Sequence, residues 1–171
     1  MTDVDFAGVE TRLKEEWQSL KAVVDSLSAE ELQEPGVVEN WSVKDLLSHM
    51  AFWANKAAGD LALARSGRAD QIEVPFIPNP GGSGGQNVTD EWNAREAAAG
   101  KGKSVKDVKR EWEDSFEAAQ ASLKATPPGV LQQEVQGWSM LVRFREDTYN
   151  HYKEHAKQIR EWQRNLETTE A

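Results

Sequence analysis

Apolar residues recur at intervals of three and four along most of this chain, the spacing that lays a single apolar stripe along a helix. Phe6, Val9, Leu13, Trp17, Leu20, Val24 and Leu27 make the first stripe and predict a helix from about Phe6 to Leu27 with a polar back. A turn follows, in which Ser28 and Glu31 have the spacing of a capping box, and Pro35-Gly36 breaks the pattern. Ser42 and Asp45 repeat the capping spacing and open a second helix, which Leu46, Leu47, Met50, Trp53, Ala57 and Leu61 carry to about Arg65. Ser66-Gly67 supplies its stop.

Periodicity is lost from about Gly67 to Lys103. Pro75, Pro78 and Pro80 precede Gly81-Gly82-Ser83-Gly84-Gly85, which predicts a mobile loop, with a short helix at about Thr89 to Ala99 beyond it. Such a connection is too long for a tight turn between antiparallel neighbours and suits a crossover to the other end of a bundle. Ser104 and Asp107 open a third long helix, striped by Val108, Trp112, Phe116, Ala119 and Leu123 and ended by Pro127-Pro128-Gly129. The last helix is predicted as one piece from about Leu141 to Leu166, with Thr148, Tyr152, His155, Ile159, Trp162 and Leu166 as its stripe. No segment shows a convincing strand pattern. The expectation is an all-α four-helix bundle with a long crossover between helices 2 and 3. It forms one domain over residues 1–171, with its core at about 6–166 and the loop-rich crossover at 67–103.

Composition narrows the chemistry. With 171 residues the chain can bury a full core and needs no staple to fold. It has no cysteine, so thiolate ligands, cysteine nucleophiles and disulfides are excluded, and any metal must be held by imidazole or oxygen. Lys and Arg number 20 against 29 Asp and Glu, a net charge of -9. That balance speaks against a phosphate backbone as partner, and no nucleic acid is expected. The acidic start, Met1-Thr2-Asp3-Val4-Asp5, does not resemble a signal peptide and no apolar run is long enough for a membrane span, so a cytoplasmic protein without a membrane partner is expected.

Against this background the three histidines stand out. His151 and His155 are four apart on the last helix, so both imidazoles project from one face. An isolated pair of this kind is more often structural than ligating. His49, however, lies on the inward side of the second helix beside Leu46, Met50 and Trp53, and these three are all the histidines the chain has. Three core-facing imidazoles point to one divalent metal ion held by His49, His151 and His155. Three protein ligands leave an open coordination position for water or substrate, unlike the closed four-ligand sites that only stabilise a fold. A water or exogenous thiol bound there would be activated by a lowered pKa. Nitrogen ligands suit zinc, nickel, iron and manganese alike, with zinc or nickel favoured.

The run Asn40-Trp41-Ser42-Val43-Lys44-Asp45-Leu46-Leu47-Ser48-His49-Met50-Ala51-Phe52-Trp53 resembles the helix-two signature of the DinB-like superfamily. His151-Tyr152-Lys153-Glu154-His155 through Trp162 resembles its last-helix signature, and the likeness extends in outline from Phe6 to Trp162. Its variable middle transfers nothing to the crossover, although Trp92-Asn93 in the short helix is similar to that of uncharacterised members. The resemblance implies a DinB/YfiT-like four-helix bundle, often homodimeric, with one metal-ligating histidine from helix two and two from the last helix. Members include transferases that use low-molecular-weight thiols such as bacillithiol or mycothiol, a maleylpyruvate isomerase and a colibactin-resistance hydrolase. It therefore implies a site more than a reaction.

Two readings follow. In the first the protein is a metal-dependent enzyme, a hydrolase or thiol S-transferase, whose site activates water or a low-molecular-weight thiol for hydrolysis, S-transfer or isomerisation of a small electrophile. In the second it is a non-enzymatic, stress-associated or small-molecule-binding protein whose metal only braces the bundle, or a helical dimerisation module with a degenerate site. Trp17, Trp53, Trp112 and Trp162 are expected in the core, and Trp41 and Trp138 at the mouth of the site. Asp45, Glu146, Asp147 and Glu154 are mostly expected as solvated helix charges, one of them in reach of an imidazole or acting as a base. Arg143 and Arg145 are expected at the surface, with binding of a substrate carboxylate as the alternative. The glycine run lacks the Lys-Ser/Thr of a phosphate loop and is read as a loop or lid.

Overall fold

The computed structural model describes residues 5–73 and 84–169. Pro75, Pro78, Pro80 and Gly81-Gly82-Ser83, where a mobile loop is expected, lie outside the described residues. Helix α1 (Phe6–Asp25) starts where the Gly8 amide donates to Asp5 Oδ1 at 3.0 Å, and it buries Leu13, Trp17, Leu20 and Val24. Helix α2 (Val43–Arg65) opens on the expected capping box: the Asp45 amide donates to Ser42 Oγ at 3.2 Å and the Ser42 amide to Asp45 Oδ2 at 2.9 Å. It ends at Gly67, whose φ of 75° lets the Arg68 amide reach back to the Leu63 carbonyl at 2.9 Å.

Helix α3 (Gly84–Lys101) is longer than the short helix expected, and Gly84 and Gly85 belong to it rather than to a loop. It packs on α2, where a Cβ at Gly100 would stand 2.3 Å from Ser48 Oγ, so the two helices approach too closely for any other residue. Helix α4 (Val105–Lys124) runs along α2. Arg65 ties the two together by donating to the Ser122 carbonyl and hydroxyl, both at 2.9 Å, and to Thr126 Oγ1 at 2.8 Å.

After a single turn, α5 (Pro128–Leu131), comes a hairpin absent from the sequence reading. Strands β1 (Glu134–Val135) and β2 (Trp138–Ser139) pair antiparallel around Gln136-Gly137, both at positive φ, 51° and 82°. That is a two-residue hairpin turn, too short to show alternation. The last helix, expected in one piece, is two: α6 (Met140–Asp147) and α7 (Tyr149–Thr169). Thr148 between them leaves helical geometry, at φ -124° and ψ -98°, and its hydroxyl donates to the Phe144 carbonyl at 2.6 Å. Phe144, Thr148 and Tyr152 are all buried at a spacing of four, so the apolar stripe runs through the break without registering it.

Helices α1, α2, α4 and α7 form the bundle, joined by the long connection between α2 and α4, so the all-α expectation holds. Its centre is aromatic: Trp17 of α1 stacks on Phe116 at 4.3 Å and meets Trp112 at 4.1 Å on α4, with Tyr152 of α7 edge-on at 5.7 Å. Trp17, Trp53, Trp112 and Trp162 are all buried as expected. Among the described residues no helix is long and apolar enough to cross a membrane.

Candidate functional site

The α2 stripe that buries Leu46, Met50 and Trp53 also carries His49 inward, and α7 turns His151 and His155 toward it. The Nε2 atoms of His49 and His151 are 2.8 Å apart, and one ring nitrogen from each of the three histidines lies within 4.8 Å of the others. Trp41 stands edge-on to His49 at 5.2 Å, closing the site on one side. His49 and His155 are buried, and His151 keeps only the edge that faces a cavity.

Burial governs the electrostatics. It pushes His49 down to about 3, with the neighbouring His155 adding to the effect. It holds His151 well below the ordinary 6.5, where His155 and then His49 lower it further. His155 is also lowered by burial, against opposing contributions from Gln158 and Glu154. All three imidazoles are therefore neutral at pH 7, the form that can ligate a metal.

His155 Nδ1 donates to Gln158 Oε1 at 2.7 Å, which leaves its Nε2 with a free lone pair. That Nε2, and the Nδ1 atoms of His49 and His151, are buried without a partner among the described residues. Buried orphaned nitrogens are costly and rare. Bonds of about 2.0–2.1 Å put tetrahedral ligand nitrogens about 3.3 Å apart, so an ion there would part the Nε2 atoms of His49 and His151 by about half an ångström and could take His155 through its free Nε2.

His49 and His151 line a cavity of about 370 Å³. Trp53 and Trp138 line it, and Trp138, at 43% the exposed large hydrophobic residue among those described, stands at its rim. Helix α3 covers one side, with Trp53 Nε1 donating to Asn93 Oδ1 at 3.0 Å and Trp92 stacked on Trp53 at 6.2 Å. Most of the rest of the lining is charged, and sequence reasoning singled out only part of it. Lys56 and Asp60 form an ion pair at 2.7 Å with only 11% of each side chain exposed. Arg143, expected at the surface, turns inward to donate to the Val135 carbonyl. Asp147, expected as a solvated charge, lines the cavity, and burial pushes its carboxyl up to about 7. The signal was present in spacing: His49, Trp53, Lys56 and Asp60 continue one stripe of α2, and Arg143, Asp147, His151 and His155 recur every four residues. Asp45 is absorbed in the α2 cap and Arg145 pairs with Glu146 at 2.9 Å.

The model of the mycothiol maleylpyruvate isomerase N-terminal domain matches residues 13–149, a span that holds His49 and ends two residues before His151. No curated protein matches the chain. Among solved structures, an uncharacterised protein from Escherichia coli UTI89 superposes with a TM-score of 0.76 at 15% identity, covering 95% of this chain and 94% of that one. The sibling lethal factor precursor DfsB gives 0.75 at 12% identity, over 95% and 97%. The colibactin self-resistance protein ClbS gives 0.73 at 12% identity, over 92% and 94%. These likenesses show the fold.

ClbS was crystallised in complex with double-stranded DNA, which overturns the exclusion of nucleic acid drawn above from net charge. A net charge of -9 sums over the whole surface, whereas a phosphate backbone meets only a local one. Lys153, Lys157, Arg160 and Arg164 stand on one exposed face of α7, so a strongly acidic chain still carries a basic strip. With the family model spanning most of its length and the superfamily's bundle beneath it, the chain belongs to the mycothiol maleylpyruvate isomerase N-terminal domain family of the DinB-like superfamily.

Proposed function

We propose that His49, His151 and His155 hold one divalent metal ion, zinc or nickel, and that the protein is a metal-dependent enzyme acting on a small electrophile by hydrolysis, S-transfer or isomerisation. The observation that carries this reading is the convergence of three neutral imidazoles, two of which line a cavity large enough for a small molecule. A bound ion there supplies Lewis acidity that lowers the pKa of an adjacent water or thiol. The chain's own residues do the rest. Gln158 fixes the ring of His155, Trp41 and Trp53 keep bulk water from the imidazoles, and Trp138 offers an apolar face at the entrance. The family's name supports a low-molecular-weight thiol as co-substrate, and the absence of cysteine means that any thiol must come from outside the chain.

Metal analysis of protein purified without a histidine tag tests the reading. We expect close to one equivalent of metal, lost in His151→Ala; no stoichiometric metal in the parent protein overturns it. In the second reading the ion is a brace, and one observation favours it: the histidines join α2 to α7, helices with few direct contacts of their own. Chelation separates the two, because stripping a brace lowers the melting temperature substantially whereas stripping a catalytic ion leaves the fold largely intact. A homodimer rests on the resemblance alone, because the apolar helix faces are buried within the bundle.

A further inference from the structure

The lining of the cavity carries charges of both signs. Lys56 is paired with Asp60 at 2.7 Å, and Lys56 and Arg143 both oppose the effect of burial on Asp147. Charge alone therefore selects neither a cationic nor an anionic ligand. One neutral group of the lining does have a settled polarity. Trp53 Nε1 donates to Asn93 Oδ1 at 3.0 Å. An indole nitrogen donates and never accepts, so the atom it meets must be the amide oxygen. The Asn93 amide cannot be turned end for end without leaving the Trp53 N–H unpaired.

The indole that sets this polarity is itself locked. Trp53 is buried and held among three rings: Trp92 stacked on it at 6.2 Å, Phe52 edge-on at 5.2 Å and His49 edge-on at 6.4 Å. An amide whose oxygen is committed presents its two N–H donors on the other side. Asn93 Nδ2 makes no hydrogen bond and is not sealed from solvent among the described residues, and Asn93 lines the cavity. A free amide serves a donor or an acceptor equally well by turning. This one meets a ligand with donors that cannot reverse.

We propose that Asn93 selects neutral carbonyl compounds in this cavity: its Nδ2 donates to the ligand's carbonyl oxygen, and Trp53 is the positioning residue that keeps it a donor. The site does not itself require a metal. Its extension to a substrate class rests on the reading above: the small electrophile carries a carbonyl oxygen that Asn93 holds.

Calorimetric titration of the full chain with acetophenone and α-methylstyrene tests this, since the two match in shape and differ in having or lacking the acceptor oxygen. Acetophenone binds about fivefold tighter, the worth of one neutral hydrogen bond. Asn93→Asp keeps an oxygen for Trp53 and replaces the donor by a second acceptor, so the preference disappears or inverts while α-methylstyrene binds as before. Trp53→Phe weakens both probes through lost packing and also brings their ratio toward one, because the amide is then free to turn. A purely structural role for Trp53 would leave that ratio unmoved. Melting curves confirm that both variants are folded. No preference for acetophenone in the parent protein, through equal binding or none, overturns the proposal, as does a preference retained in Asn93→Asp or a ratio unmoved in Trp53→Phe. Metal content is measured on the same samples. An Asn93-dependent preference in protein without metal sinks the metal reading and leaves this one standing, whereas one equivalent of metal without the preference does the reverse.

Discussion

Gln158 Oε1 lies 2.7 Å from His155 Nδ1, and that bond decides which nitrogen of His155 faces His49 and His151. Gln158 is one turn beyond His155 on α7, so the same helix supplies both the ligand and the group that orients it. Gln158→Leu keeps the approximate volume and removes the acceptor. The variant should fold normally and bind zinc about 10–100-fold more weakly, the usual cost of losing a partner that orients a metal-bound histidine. Competition against a chelating dye measures this, and an unchanged affinity would show that packing alone holds the ring.

Gly100 and Ser48 set how closely α3 approaches α2. Gly100→Ala would place a methyl group 2.3 Å from Ser48 Oγ and 2.8 Å from Ser48 Cβ, so one helix must shift. Overpacking of this kind costs about 1–3 kcal/mol. The shift would also loosen the bond from Trp53 to Asn93 that anchors α3 over the cavity. Ser48→Gly removes the obstruction at a helix-propensity cost of about 0.5 kcal/mol. Urea titrations of the two single variants and the double should therefore be non-additive, the double being more stable than the sum predicts. Simple additivity would mean that the two helices already have room to part.

How far the sequence could be read follows from what periodicity encodes. It records which face of a helix is buried, so it located α1, α2 and α4 and turned His49, His151 and His155 inward. It does not record a change of backbone that keeps the same face buried, which is why the break at Thr148 between Phe144 and Tyr152 left no trace. The hairpin at Gln136-Gly137 has two residues in each strand, below the length at which alternation can be distinguished from chance. Arg143 and Asp147 were read mostly as surface charges because charged residues usually are, and Lys56 and Asp60 were not singled out. Only the fold shows that these four meet around one cavity beside the histidines, with Lys56 and Asp60 paired there. Net charge misled for a related reason: it averages over a surface of which a partner touches only a part.

The depressed histidines make the metal-free protein acid-sensitive in a defined window. The unfolded chain takes up protons at its imidazoles as pH falls through the ordinary 6.5, while folded His49 resists down to about 3. More protons on the unfolded side means that stability is full above 6.5 and declines as pH drops below it. His49→Gln removes one such group. Its melting temperature should fall less between pH 7 and pH 5 than that of the parent protein, both measured in the presence of a chelator. An identical decline in the two proteins would place the acid sensitivity elsewhere.

Asp147 has the opposite sign and so can be told apart. Its carboxyl is raised by burial from the ordinary 3.8 to about 7, so the folded chain holds this proton where the unfolded chain has lost it. Below 3.8 both states are protonated and the group is neutral in stability. As pH rises, the unfolded chain ionises first, and the penalty for folding grows until the folded group also ionises near 7, after which it is constant. Asp147→Asn removes that penalty. Relative to the parent protein, the variant should gain little at pH 4 and most at pH 8, with the gain developing across the interval between. Thermal melts of the two proteins at matched ionic strength measure the difference directly. A gain of equal size at pH 4 and pH 8 would mean that the substitution acts through packing, and that Asp147 does not carry an uncompensated charge into the cavity.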